Sequence, residues 1–174
     1  EIEKSEYEKS SKEDPLTGCL NRAGFSGVLL REQEKLNRTG SPVSFMIFDI
    51  DHFKNVNDTY GHLVGDEVLV NLAKLVQGMI RNTDSLVRWG GEEFVILSED
   101  TSIQNAAFLA EKLRKAIEAS TLITQQQVTC SFGVTEMVPG EDPKSLIARA
   151  DKALYSSKEN GRNRVTVATF RRNH

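Results

Sequence analysis

Apolar residues recur along this 174-residue chain with two distinct periods. Between Arg22 and Arg38, Phe25, Val28, Leu29 and Leu36 fall at helical spacing, and Gly40-Ser41-Pro42 closes the segment, which predicts a helix. Residues 43–50, VSFMIFDI, are almost continuously apolar over a strand's length, as in a strand buried on both faces. Residues 51–62 are polar and turn-rich and read as a loop. From Leu63 to Arg81, Val64, Val68, Leu69, Leu72, Leu75, Val76, Met79 and Ile80 trace an amphipathic helix. LVRW and EEFVIL flank Gly90-Gly91, which predicts a hairpin whose two turn glycines take positive φ. A helix is expected over 102–119, with Ile103, Ala106, Ala110, Leu113 and Ile117 on one face, and a strand over 127–138. Asp142-Pro143 opens a last helix that presents Leu146, Ile147, Ala150 and Leu154 and ends at Gly161, before a strand over 164–170. The alternation implies an α/β (α+β) domain, a central mixed sheet of about five strands flanked by helices, with one tight hairpin.

Composition changes this picture mainly through charge. The chain has 22 basic and 25 acidic residues, a net charge of −3. Residues 1–14 hold Glu1, Glu3, Glu6, Glu8, Glu13 and Asp14 against Lys4, Lys9 and Lys12, so the arm carries the whole imbalance and the rest is neutral. A neutral domain argues against a nucleic acid polymer or an anionic membrane surface as partner. No run reaches the ~20 apolar residues of a membrane span, and no signal peptide opens the chain, so the expected compartment is the cytoplasm. Cys19 and Cys130 lack metal-like spacing and read as buried, reduced thiols. Glu1 is not a natural start, which suggests a piece of a longer protein. Residues 1–13 are helix-permissive, and stand either as a solvated helix or as the end of an incoming stalk.

Four clusters carry candidate chemistry. Asp49 and Asp51 close a buried strand, where α/β sheets place ligand sites; they either hold a hard cation such as Mg²⁺ or cap the following loop and helix. Gly90-Gly91-Glu92-Glu93-Phe94 puts two carboxylates on a side-chain-free turn, either a ligand-binding edge or a solvated hairpin. Lys158 and Arg162 sit four apart across a helix C-terminus, where they either grip phosphate or complete the helix dipole. Arg81 and Asp84 are placed for a local ion pair or for the edges of a guanine.

Together these residues resemble the diguanylate cyclase, or GGDEF, domain. Five motifs occur in the family's order: Asp14-Pro15-Leu16-Thr17-Gly18 with Asn21-Arg22, FDIDHFKNVND, YGHLVGD, RWGGEEF, and Ala150-Asp151 through Tyr155 and Lys158 to Gly161-Arg162. The family accepts Glu at the third signature position, here Glu92. The resemblance spans residues 14–170, leaving 1–13 as a stalk helix and 171–174 as a tail, and implies a nucleotide-cyclase-like fold. It implies condensation of two GTP into cyclic di-GMP and two pyrophosphates with Mg²⁺, two per active site, Mn²⁺ being possible. Carried over residue by residue, Asp49, the Ile50 carbonyl and Glu92 are implied as metal ligands. Glu92 is also implied as the acceptor of the 3′-hydroxyl proton, with Glu93 supporting it. His52, Phe53 and Lys54 are implied to cradle phosphates, Lys158 and Arg162 to hold the outer phosphates, Asn57 and Asp66 to read guanine, and His62 to contact substrate.

Arg81 and Asp84 match the family's inhibitory product site, with Arg88 or Arg114 as the completing arginine. The resemblance further implies a symmetric homodimer for catalysis and an upstream sensor domain in the full-length protein, which another segment can anchor to a membrane. The rival expectation is a non-catalytic module that binds GTP or cyclic di-GMP. An unrelated Mg²⁺-dependent nucleotidyl transferase is a third, and the phosphate loop G-x-x-x-x-G-K-[ST] is absent from the sequence.

Overall fold

Every residue of strand β1 (Ser44–Ile50) is buried, and this strand is the centre of the molecule. The computed structural model describes residues 11–170. The expected stalk helix lies outside the described residues over 1–10, and so does the tail 171–174. β1 pairs antiparallel with β3 (Glu93–Ser98) on one side and with β4 (Cys130–Glu136) on the other. β2 (Ser85–Arg88) adds to β3 antiparallel, and β5 (Val165–Ala168) adds to β4 parallel, giving the mixed five-stranded order β2-β3-β1-β4-β5. The α+β class and the five strands expected from the sequence are those found.

Alternation along β1 sorts its side chains onto two faces. Phe45 and Ile47 join Phe25, Leu29, Leu146 and Leu154 in a core beneath helices α1 (Arg22–Thr39) and α5 (Pro143–Glu159). Met46, Phe48 and Ile50 join Phe53, Leu72, Leu113 and Phe132 beneath α2 (Phe53–Tyr60), α3 (His62–Gln77) and α4 (Ile103–Ala119). Phe48 stacks on its cross-strand partners Phe94 and Phe132 at 5.6 and 4.7 Å. Truncating a ring so buried costs about 3–5 kcal/mol. Asn21, Ser102 and Asp142 cap α1, α4 and α5 by accepting from first-turn N–H groups.

Three expectations need correction. The loop read over 51–62 contains α2, because Phe53, Val56 and Tyr60 follow helical spacing and pack inward while the polar residues between them face out. The helix expected over 63–81 begins at His62 and ends at Gln77. The hairpin forms, but neither Gly90 nor Gly91 has positive φ. Trp89 and Gly90 instead both donate to the Glu93 carbonyl, at 2.8 and 3.2 Å, across a wider turn. Cys19 and Cys130 are buried free thiols, as expected. Among the described residues no helix is long and apolar enough to cross a membrane.

Candidate active site

The strand that builds the core also delivers the first acid of the site. Asp49 is the third residue of the β1 face that carries Phe45 and Ile47, so its carboxylate emerges beneath the C-terminal end of α5. There it meets the Lys158 ammonium. Directly across the sheet stand Glu93 on β3 and Ser131 on β4. Glu92 precedes β3, and its carbonyl accepts from the Ile50 N–H at 3.4 Å.

Two adjoining cavities lie along this edge. The smaller, about 170 Å³, is lined by Asp49, Ile50, Asp51, His52, Phe53, Lys54, Glu92, Lys158 and Arg162. The larger, about 590 Å³, is lined by Phe53, Lys54, Asn57, Asp58, His62, Asp66, Leu69, Arg88, Gly91 and Glu92. They share Phe53, Lys54 and Glu92. One open cleft thus runs from a charged end to an end carrying an amide and a carboxylate. Of the site residues expected from sequence, Glu93 lines neither cavity, nor do Arg81, Asp84 and Arg114 of the expected product site.

Local geometry explains these placements. His52 turns the chain with φ 57° and ψ 32°, and no side chain caps α2 behind it. The first turn of that helix, whose residues Phe53 and Lys54 line the small cavity, therefore has no capping side chain on its N–H groups. Asn57 packs against Gly65 of α3, where a Cβ would fall 1.8 Å from the Asn57 Oδ1. The glycine leaves room for the Asn57 amide at the wall of the larger cavity, which Asp66 also lines. Gly65 is not among the site residues expected from the sequence; inside a helical pattern a glycine costs stability, and the close contact with Asn57 accounts for it here.

Two arginines brace the turn that carries Glu92. Arg22 lies 4.0 Å over the Trp89 ring and donates to the Trp89 carbonyl at 2.8 Å. Arg88 donates to the Gly91 carbonyl at 2.8 Å and pairs with Asp14 at 3.2 Å, tying the turn to the start of the domain. Burial pushes the Asp14 carboxyl up, but hydrogen bonds from Thr17 and Arg88 outweigh it and hold the group below its ordinary range.

The electrostatics single out Asp49. Burial raises its pKa to about 6, the neighbouring Glu92 and Glu93 add to the rise, and Lys158 opposes it. Burial also raises Glu92, with Lys158 opposing and Glu93 reinforcing. Asp49 Oδ1 is buried with no hydrogen-bond partner. Asp51, two residues on, is different: its oxygens accept from Ser131 Oγ at 2.6 Å, Thr129 Oγ1 at 2.7 Å and the Asn163 N–H at 3.0 Å. Asp51 is thus satisfied internally, and neither aspartate caps α2, whose cap position is taken by His52.

A divalent cation fits the remaining set. It would give the orphaned Asp49 oxygen a partner and relieve the crowding of Asp49 with Glu92. Among the described residues no three His, Cys, Asp or Glu side chains converge as a cage. Two carboxylates and a main-chain carbonyl suit Mg²⁺, which keeps waters and takes substrate phosphates as further ligands.

Arg81 and Asp84 lie apart, between α3 and β2. Arg81 donates to both Asp84 oxygens, to the Glu99 carbonyl at 2.7 Å and to Thr101 Oγ1 at 2.7 Å. The hydrogen bond to Asp84 raises the Arg81 pKa further. The two expected completing arginines are both engaged elsewhere, Arg88 with Asp14 and Arg114 with Glu111, Glu118 and Asn163.

The family model for the diguanylate cyclase GGDEF domain matches residues 11–164. Diguanylate cyclase A of Treponema denticola is 39% identical over 174 residues, covering 96% of this chain and 47% of the relative, so the chain spans about half that protein's length. The solved coiled coil and GGDEF domain of DgcB from Caulobacter crescentus, in complex with c-di-GMP, superposes with a TM-score of 0.91 at 32% identity, covering 96% of this chain and 91% of that one. The active GGEEF domain of a diguanylate cyclase from Vibrio cholerae gives a TM-score of 0.81 at 36% identity, with 89% and 99% covered. With the motifs in order, the fold matched and the family model spanning nearly all of the domain, this chain belongs to the diguanylate cyclase GGDEF domain family.

Proposed function

We propose that this domain is a diguanylate cyclase, converting two GTP into cyclic di-GMP and two pyrophosphates. The observation that supports it most is the sorting of charge along one cleft, with Asp49, Glu92, Lys158 and Arg162 at one end and Asn57 and Asp66 at the other. The separation suits a nucleotide lying lengthwise. Asn57 and Asp66 complement the donors and acceptors of guanine's edge and disfavour adenine. Lys54, Lys158 and Arg162 meet the phosphates as point charges and a fork.

Chemistry then needs a base and a leaving group. Glu92, raised by burial, takes the proton of a 3′-hydroxyl. The 3′-oxygen bonds to the α-phosphorus of the facing nucleotide as the bond to the bridging oxygen breaks, and pyrophosphate departs with the electron pair. Lys158 and Arg162 hold that departing group in line. A bound Mg²⁺ would supply charge neutralisation at the triphosphate, held by Asp49, the Ile50 carbonyl and Glu92.

One cleft holds one nucleotide, and ring closure requires the same step twice. Two chains facing with two-fold symmetry supply both. Residues 1–13 would deliver the domain to its partner from an upstream sensor. Arg81 and Asp84 would bind product and slow the enzyme, coupling two sites. Incubation of an artificially dimerised chain with GTP and Mg²⁺, with chromatography of the products, tests the reading. Cyclic di-GMP is expected, and none from Glu92→Gln. GTP binding without product from the unaltered dimer would leave only a binding module.

A further inference from the structure

Arg162 is exposed, and its guanidinium has no hydrogen bond or ion pair among the described residues, yet the backbone under it is held on several sides. Arg162 and Asn163 both have left-handed backbone, at φ 64° and 45°. Two successive residues there without glycine's freedom cost of order 1 kcal/mol or more each, and persist only where the surroundings fix them. The surroundings are visible. The Arg162 N–H donates to the Ser157 carbonyl at 2.9 Å. The Asn163 N–H donates to Asp51 Oδ2 at 3.0 Å and to Ser131 Oγ at 3.1 Å. The Asn163 side chain accepts from Arg114 at 3.1 Å and donates to Glu118, both on α4.

We infer that Asp51 is a positioning residue for the phosphate end of the cleft, fixing the loop from which Arg162 reaches the outer phosphates. The carboxylate is buried, and its three donors arrive from β4, from the residue before β4 and from the loop after α5. It therefore joins the end of β1, which carries Asp49, to the loop that carries Arg162. The distance between metal-binding acid and phosphate-binding arginine is thus set by one buried carboxylate and its partners. Both of its oxygens are already occupied, so its contribution is to geometry and not to ligation. An arm held at its base and free at its tip makes its contact at reduced entropic cost.

This inference rests on the reading of the cleft as a GTP site, and the test separates the two. Binding of a non-hydrolysable GTP analogue with Mg²⁺ is measured by calorimetry for the whole chain, for Asp51→Asn, for Arg162→Ala and for the double variant. Asp51→Asn keeps the volume but replaces one acceptor oxygen with an amide group. It is expected to weaken binding about tenfold when Arg162 is present and less than twofold when Arg162 is absent. Asn163→Ala, which releases the loop from α4 instead, is expected to show the same dependence on Arg162 and serves if Asp51→Asn does not fold by circular dichroism. An equal loss in both backgrounds overturns the inference, because a merely structural carboxylate lowers binding whether or not Arg162 is there. An unaltered chain that binds no GTP analogue overturns the cleft reading and this inference with it.

Discussion

Asp49 retains its proton to a higher pH than an exposed aspartate because burial outweighs its contact with Lys158, placing its pKa at about 6 against an ordinary 3.8. Between those values the folded chain holds a proton that the unfolded chain has released, so this group's contribution to stability falls as pH rises. Free of divalent cation, the wild type should therefore gain about 1 kcal/mol relative to Asp49→Asn on going from pH 7.5 to pH 5. Urea titrations of both proteins at the two pH values give the difference, and a constant difference would assign the proton elsewhere. Gly65 supplies a second contrast. Alanine is the better helix former by about 1 kcal/mol, so Gly65→Ala should leave thermal stability level or raised. Its methyl must displace the Asn57 amide, 1.8 Å from where the Cβ would stand. Steady-state kinetics should show KM for GTP up about tenfold, with weaker discrimination against ATP. A lowered melting temperature with KM intact would mean that Asn57 does not read the base.

At the scale of elements, α5 brings Lys158 to Asp49 only because it lies directly on β4. A Cβ on Gly133 would stand 2.4 Å from the Ala150 carbonyl oxygen and 2.5 Å from the Leu154 nitrogen. Gly133→Ala must lift the helix, and overpacking of this kind costs about 1–3 kcal/mol. Urea unfolding should show that loss, with GTP turnover reduced as Lys158 withdraws; unchanged stability would place the helix contact elsewhere. The same elements show what the amino-acid order could convey. The runs in β1 and α3 and the caps of α1, α4 and α5 are local signals, legible because period and capping chemistry act over a few residues. α2 was hidden because Lys54, Asn57 and Asp58 face the cleft, so the residues that serve the site dilute the helical pattern. The turn at Gly90-Gly91 is not legible from its glycines, since neither takes positive φ and the Trp89 and Gly91 carbonyls are bonded by Arg22 and Arg88. The motifs exposed most of the cleft's residues through family resemblance. They did not expose the bonds of Asp51, whose partners lie 78, 80 and 112 positions away.

For the whole molecule, the net charge of −3 falls on residues 1–14, and the remaining residues are neutral. Neutrality conceals an ordered site in which acids, bases and amides follow one another along a cleft. The arm leads into the Asp14 turn, which is bonded through Arg88 to the turn bearing Glu92. The Arg81–Asp84 pair lies outside the cleft, with Asp84 buried and Arg81 half exposed. If it receives product, Arg81→Ala should lower cyclic di-GMP affinity at least tenfold by calorimetry, since a lost charge-assisted contact is worth about 1.5–3 kcal/mol. Unchanged affinity would mean that Arg81 does not bind product. In the proposed reaction two such clefts face each other and each forms one bond. Product analysis of covalently linked pairs, supplied with GTP and Mg²⁺, tests it most directly. A wild-type pair should yield cyclic di-GMP with two pyrophosphates, and a pair with one Glu92→Gln member should stall at the linear dinucleotide with one pyrophosphate. A wild-type pair that makes no cyclic product, or a mixed pair that closes the ring at the wild-type rate, would contradict it.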